Sequence, residues 1–428
     1  MWQEGWSRVH QAFAGLFGRV DALVTALDFV LALTVDVSRK NCWTLGDLAG
    51  HTGPGRFQHL LCGAKWSVSA ARTGLRDYVV ASLGLDDAVL VVDETGDVKK
   101  GTKTVGVQRQ YTGTAGRIEN AQVAVYLAYA TDDAHALLDT ELYLPRSWTG
   151  DRERMTQAGV PSDVEFATKP ALAAAMIARA LDGGVKADWV AGDEVYGADR
   201  GLRQMLADRR VGYVLAIRRD WQLRPCPGVK LTAQELAQSI PTGTWQTYSA
   251  GQGAKGPRMY EWAWTQTQAP SDTTPDGPGY HYLLIRRHPR THEMALYLCF
   301  SPNPARLATL VRIAGRRWRV EESFQQSKEL VGLDQHQVRR WDSWQRWVTL
   351  AMWAYAFLVT VTLAARTHEP AHPGTVRLSV NEVRRLLTAH RPPPDPRHTH
   401  HWSHWRRQHQ YRAKQAHYRR RSNHEIRL

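Results

Sequence analysis

The chain changes texture near residue 86. Before that point apolar positions recur with helical spacing: residues 20–35 are strongly apolar, and residues 66–83 carry a second 3.6-residue period. Residues 45–61 share the pattern but break at His51-Thr-Gly-Pro-Gly55, an interruption of helix-turn-helix size. A helical region over residues 1–85 is therefore expected, with DNA binding among the roles such a bundle can serve.

Beyond residue 86 the runs are short. Ala88-Val-Leu-Val-Val92 has no polar member, the pattern of a strand buried on both faces, and it ends directly on Asp93-Glu-Thr-Gly96. Residues 104–111 and 122–130, rich in β-branched and aromatic residues, predict two more strands around the turn Thr112-Gly-Thr-Ala-Gly116. An alanine-rich helix over 169–181 stops at Gly183-Gly184, and a strand over 187–191 ends on Gly192-Asp193. A helix over 199–208 and a strand over 213–217 follow. Alternating strands and helices from 88 to 218 predict an α/β domain. Between 220 and 304, Gly, Pro, Thr and Ser are frequent and alternation recurs at 244–248, 259–265, 280–286 and 295–300, which predicts an all-β insertion. Helix returns over 305–330 and 344–365. The expected division is 1–85 helical, 86–219 first part of the α/β domain, 220–303 β-rich insertion, 304–368 second part, and 369–428 a basic segment.

Composition sharpens this picture in three places. With 428 residues, 43% hydrophobic and 22% charged, the chain can bury a large core, and wholesale disorder is excluded. Its 55 Lys plus Arg against 41 Asp plus Glu leave +14, which points to a polyanionic partner, nucleic acid first; a merely soluble basic surface is the other reading of composition alone. The four cysteines form no CxxC pair and the first residues lack a signal-peptide pattern, so a reducing cytosol fits. Residues 348–365 carry no charge and have membrane-spanning length, but threonines, alanines and nearby Trp344, Trp347 and Trp353 favour a buried core helix and no membrane. Residues 391–428 open with Arg-Pro-Pro-Pro-Asp-Pro and hold ten Arg plus Lys, two acids and seven histidines, interleaved with Trp402, Trp405 and Tyr411. The expectation there is a disordered, nonspecific anchor, with base stacking or adventitious metal binding at His398-Thr-His-His-Trp-Ser-His404 as the sharper alternatives.

The candidate chemistry lies in three acids. Asp93 and Asp193 each end an apolar strand, at the sheet edge where α/β folds place their sites. Two such acids repel each other unless a cation lies between them, and an oxygen-only donor set suits Mg²⁺ or Mn²⁺. Capping the following turn is the plainer role for a strand-end Asp. In Arg316-Arg-Trp-Arg-Val-Glu-Glu-Ser-Phe-Gln-Gln-Ser-Lys328, the residues Arg317, Glu321 and Lys328 share one helix face by their spacing, next to apolar Val320 and Phe324. Glu322 lies roughly 100° round the helix and is the weaker candidate. A surface pair between Arg317 and Glu321 is the ordinary alternative.

These motifs resemble those of the DDE transposases of bacterial insertion sequences. The similarity is carried by Asp93-Glu-Thr-Gly with Lys99-Lys-Gly-Thr-Lys103, Val105-Gly-Val-Gln-Arg-Gln-Tyr111 and Thr112-Gly-Thr-Ala-Gly116, and by Gly192-Asp193-Glu-Val-Tyr196-Gly. Arg317-Trp-Arg-Val-Glu321 with Lys328 and Val331-Gly-Leu-Asp-Gln335 looks like the Arg-Glu-Lys part of a Tyr-Arg-Glu-Lys signature, with Ala314 in the tyrosine's place. The resemblance runs from about residue 30 to 366. It implies a ribonuclease-H-like fold in which Asp93, Asp193 and Glu321 ligate two Mg²⁺ (or Mn²⁺) ions. It also implies double-stranded DNA as partner, at transposon ends and target, with phosphate contacts from Arg317, Lys328, Lys99, Lys100 and Lys103. A homodimer pairing two ends in a bacterial, nucleoid-associated cytoplasmic setting is implied as well. An inactive DNA-binding protein or a purely hydrolytic nuclease on the same fold is the alternative; a glycosidase, the other user of paired carboxylates, lacks an evident aromatic sugar cleft.

Overall fold

The helical texture of the first residues resolves into α1 (Trp2–Ala14), α2 (Val20–Leu33), α3 (Cys42–Leu48), α4 (Gly55–Cys62) and α5 (Val68–Leu83). In this computed structural model, residues 2–84, 87–253, 256–270, 279–368, 374–393 and 395–425 are described. Asn41 caps α3 in a reciprocal box with Thr44, and Ser67 caps α5 through the Ala70 amide, so these helices start where their orphan amides find side-chain acceptors.

Next come β1 (Val89–Val98), β2 (Gln108–Thr112), β3 (Arg117–Ala130) and β4 (His135–Leu142), then α6 (Arg146–Thr149), α7 (Arg152–Ala158) and α8 (Lys169–Asp182). The strand expected over 104–111 begins only at Gln108. Val105 and Val107 are buried in a turn instead, where the Val105 amide donates to the Arg339 carbonyl. β5 (Trp189–Gly192), α10 (Arg200–Asp208) and β6 (Gly212–Ile217) follow closely as expected, with an unexpected single turn, α9 (Glu194–Gly197), started by the Asp193 cap.

Residues 220–304 contain β7 (Gln222–Leu223), β8 (Leu231–Thr232), α11 (Ala233–Gln238), β9 (Gln246–Gly253), β10 (Gly256–Thr267), β11 (Tyr280–Arg287) and β12 (Met294–Ser301). The all-β expectation misses α11, which a capping box between Thr232 and Glu235 nucleates. The helix expected over 305–330 is two, α12 (Leu307–Arg316) and α13 (Trp318–Val331), meeting at Arg317. The break falls just beyond Gly315, whose missing side chain lets the Ala250 carbonyl of β9 close on the helix. α14 (Trp341–His368), α15 (Val380–Ala389) and α16 (Pro396–Glu425) complete the order.

Among the described residues ten strands form one mixed sheet. Its order is β2-β3-β1-β5-β6-β12-β11-β10-β9, with β4 also on β3. β1, β5 and β6 run parallel, while β3 is antiparallel to β1 and to β4. The strands between 246 and 301 join this same sheet, because β12 pairs antiparallel with β6. α14 is the long apolar helix of membrane-spanning length, and it is a core helix: Trp344, Trp347 and Trp353 are buried, and Phe13, Phe29 and Tyr78 of α1, α2 and α5 pack their rings on it.

Candidate active site

β1 does not end at Asp93 as the apolar run predicts: its pairing with β3 carries it on to Val98, while its parallel pairing with β5 stops at Val91. Strand alternation therefore divides its residues between two sides. Asp93, Thr95 and Asp97 meet α13, while Glu94 meets α8 and α9. One Asp93 oxygen accepts the Glu94 amide at 2.8 Å, and the other lies 3.6 Å from an Arg317 Nη. Burial, then the charge of neighbouring Asp193, pushes the Asp93 carboxyl up to about 8 against the pull of Arg317. Asp193 follows β5 and caps α9, accepting the Val195 amide at 2.8 Å; burial and then Glu94 raise its pKa also. α9 can sit so close to β6 because Gly197 has no side chain to meet the Ala216 carbonyl.

Arg317 stands at the α12–α13 joint, with one Nη toward Asp93 and the other 3.1 Å from Glu321 Oε1. The charges of Asp93 and Glu321 outweigh burial and hold this guanidinium firmly protonated. The two adjacent glutamates separate cleanly. Glu321 faces Arg317, whereas Glu322 turns to Arg319 (2.8 Å) and to His135 of β4 (3.3 Å). Burial opposes ionisation of Glu322, but those two partners hold it down at about 2.

Lys328, two turns along α13, donates to Thr95 Oγ1 at 2.8 Å and to Gly96 O and Thr114 Oγ1 at 3.2 Å, and lies 3.5 Å from Asp97. Lys99 joins the same cluster, donating to the Asp334 and His336 carbonyls and lying 3.8 Å from Asp97. His336 Nε2 lies 3.3 Å from Asp97. Burial works against the Asp97 charge, yet His336, Lys99 and Lys328 together hold it at about 2. Lys100 and Lys103 stand apart from this cluster and are exposed. Lys103 borders a groove of about 630 Å³ with Arg154, Arg339 and Arg340. Trp344 is buried and Trp341 half-buried, as core positions.

The structure thus gathers Asp93, Asp193, Arg317 and Glu321 at one place and holds Lys328 and Lys99 one step along β1. Sequence reasoning missed Glu94, Lys169 and Tyr196. Glu94 accepts from Lys169 at 2.6 Å and from the Tyr196 hydroxyl at 2.7 Å. Tyr196 lies inside the Gly192–Gly197 motif, and its spacing from Asp193 was the available signal. Among the described residues no three His, Cys, Asp or Glu side chains close into a ready metal cluster, since the Arg317 guanidinium reaches both Asp93 and Glu321. The donors nevertheless fit a hard cation: all are carboxylate oxygens, and Asp93 and Asp193 resist ionising together without one.

The site is thus built from one acid within β1, a second just after the parallel strand β5, and a third on α13. The family model of the DDE superfamily endonucleases matches residues 12–249, and a transposase DDE domain model matches residues 155–357. The chain belongs to the DDE superfamily of endonucleases. It is 31% identical over 193 residues to a probable transposase for insertion sequence element IS701 from Microchaete diplosiphon, covering 45% of this chain and 48% of that one. The chain therefore spans about half the length of the curated relative it matches. A piggyBac transposase in a synaptic complex with hairpin DNA is a distant structural likeness, with 13% identity and a TM-score of 0.42 over 86% of this chain and 70% of that one.

Proposed function

We propose that this chain is a transposase that cuts and joins DNA at the terminal inverted repeats of an insertion sequence, using divalent metal ions held by Asp93, Asp193 and Glu321. The observation that carries this reading is that Asp93 of β1 and Glu321 share the single guanidinium of Arg317, while Asp193, just after β5, stands near enough for its charge to raise the Asp93 carboxyl. The order β4-β3-β1-β5-β6, with its antiparallel and parallel halves, supports a ribonuclease-H-like core. The division at 85, 219, 303 and 368 is proposed as the functional one, with a homodimer on double-stranded DNA in the bacterial cytoplasm.

Bound there, Mg²⁺ or Mn²⁺, two ions per site, would supply activation of the attacking hydroxyl and stabilisation of the leaving oxygen. The chain's own residues do the rest. Arg317 neutralises Asp93 and Glu321 and is placed to turn its guanidinium to a phosphate oxygen. Lys169 and the Tyr196 hydroxyl engage Glu94, which keeps that carboxylate from competing with its neighbour Asp93. Lys328 and Lys99 bring positive charge beside the site, and exposed Lys100 and Lys103 extend it toward a DNA backbone.

The test uses a labelled duplex carrying the repeat that flanks the gene, with Mg²⁺ or EDTA. Wild type is run beside Asp93→Asn, Asp193→Asn and Glu321→Gln. Mg²⁺-dependent cuts at the repeat end, abolished in each variant while binding persists, are expected. Binding without cleavage in wild type, with Mn²⁺ as well, would return the chain to a DNA-binding role. Cleavage without joining would make it a hydrolytic nuclease.

A further inference from the structure

The basic segment after residue 391 is a helix, not the disordered anchor its composition suggests. α16 runs from Pro396 to Glu425, about 45 Å at 1.5 Å per residue. Its first half is seated. Trp402 is buried and donates its Nε1 to the His51 carbonyl at 2.8 Å. His398 reaches Asp47, His401 lies 2.8 Å from the Thr52 carbonyl, and Arg406 pairs with Asp47 at 3.1 Å. Trp405 meets the edge of Trp43 at 4.6 Å. The seat is therefore α3 and the turn between α3 and α4, the unit whose spacing is that of a helix-turn-helix.

The second half is different. Residues 406–421 hold seven Arg plus Lys and no acid, and the helix has no apolar stripe to bury. Arg407, Tyr411, Lys414, Tyr418 and Arg421 are spaced i, i+4, i+7, i+11 and i+14, so basic and phenolic groups alternate along one face. Tyr411 and Tyr418 are 64% and 70% exposed. Such crowding of like charge on one helix is relieved by a polyanion, and Arg, Lys and Tyr are the side chains that donate to phosphate oxygens. A lipid surface would call for an apolar face opposite the basic one, which this half lacks.

We propose that α16 is a rigid arm that grips the phosphate backbone of duplex DNA without reading its sequence, anchored through Trp402 to the α3–α4 unit. This rests on the nucleic-acid reading above and adds the element that would carry nonspecific affinity. The arm's outer half, about 24 Å long, lies along the duplex with the Arg407–Arg421 stripe toward phosphate.

The test is fluorescence anisotropy of the full chain on a labelled duplex of unrelated sequence, in EDTA, over a KCl series. The exposed triple substitution Arg407→Ala, Lys414→Ala, Arg421→Ala should lower the log–log salt slope by about 0.9 for every phosphate the arm ceases to neutralise, roughly 2 to 3 in all. Trp402→Ala, which empties the seat, should open α16 to limited proteolysis and weaken duplex binding while leaving the stripe's charges in place. An unchanged slope and affinity in the triple variant overturns the proposal. So does a triple variant that keeps its duplex affinity and no longer binds a single-stranded RNA, which would make RNA the partner. Because the duplex is unrelated and no metal is present, the result stands whether or not the carboxylates cut DNA.

Discussion

Asp93 and Asp97 are four residues apart on one strand, on the same side, against the same helix, and they are electrostatic opposites. Asp97 is ringed by Lys99, Lys328 and His336, which overcome burial and hold it near pKa 2. Asp93 is buried beside Asp193 with one guanidinium at 3.6 Å, and it is pushed up to about 8. One carboxylate is an ion-pair member that staples β1 to α13. The other shares its one guanidinium with Glu321 and faces Asp193, a shortage of counter-charge that is the condition that draws a cation. Sequence alone shows two aspartates in one motif; only the partners brought from residues 193, 317, 328 and 336 tell them apart.

The largest expected effect attacks the stapled end. Asp97→Asn leaves Lys99 and Lys328 close together without their anion and should lower the unfolding free energy by about 3–5 kcal/mol. Asp93→Asn, which removes a repelled charge, should be neutral or stabilising in the same urea titration. Equal losses in the two variants would erase the distinction. A second effect sharpens it from the other side: Mg²⁺ at a hundredfold excess over its dissociation constant should stabilise wild type by about 2.7 kcal/mol, with no such gain in Asp93→Asn. Thermal denaturation with and without EDTA reads this directly.

The two acids also predict opposite pH trends in EDTA. Asp93 has a raised folded-state pKa, so the folded chain holds its proton longer than the unfolded one. Its effect is destabilising as pH climbs from about 4 to about 8. Asp97 is depressed, so its contribution is present above the unfolded value near 4 and is lost as pH falls toward about 2. Melting curves of wild type minus each Asn variant across pH should show slopes of opposite sign in those windows. The smallest effect belongs to exposed Lys100: Lys100→Ala should change stability by no more than about 0.5 kcal/mol. It should lower the duplex salt slope by about one unit if the lysine touches phosphate.

Much of the site was legible because local pattern and chemistry coincide there. An apolar run ending on Asp marks β1 and again β5, and the Arg317–Glu321 spacing places both on one helix face. What the sequence hid depends on distant partners. β4 has a polar interior: Asp139 is fully buried, and Arg72 and Arg76 of α5 with Arg179 of α8 surround it. A strand that buries its charges shows no alternation to read. The joint at Arg317 is set by the approach of Ala250 to Gly315, a residue far from it in sequence. α16 reads as a polar tail because its anchors, Trp402 and the paired histidines, find their acceptors on α3 and the following turn.

The burial of α14 has a consequence for the order in which the molecule is made. Phe13, Phe29 and Tyr78 lean on tryptophans of a helix that starts at residue 341. A ribosome moving at about 5–20 residues per second therefore completes the first helices on the order of tens of seconds before their packing partner exists. During that interval the nascent chain carries an uncovered greasy face, while the strand bearing Asp93 and its hairpin partners already have each other. The acids are thus laid down early, and the scaffold behind them can close only after α13 and its glutamate have been synthesised.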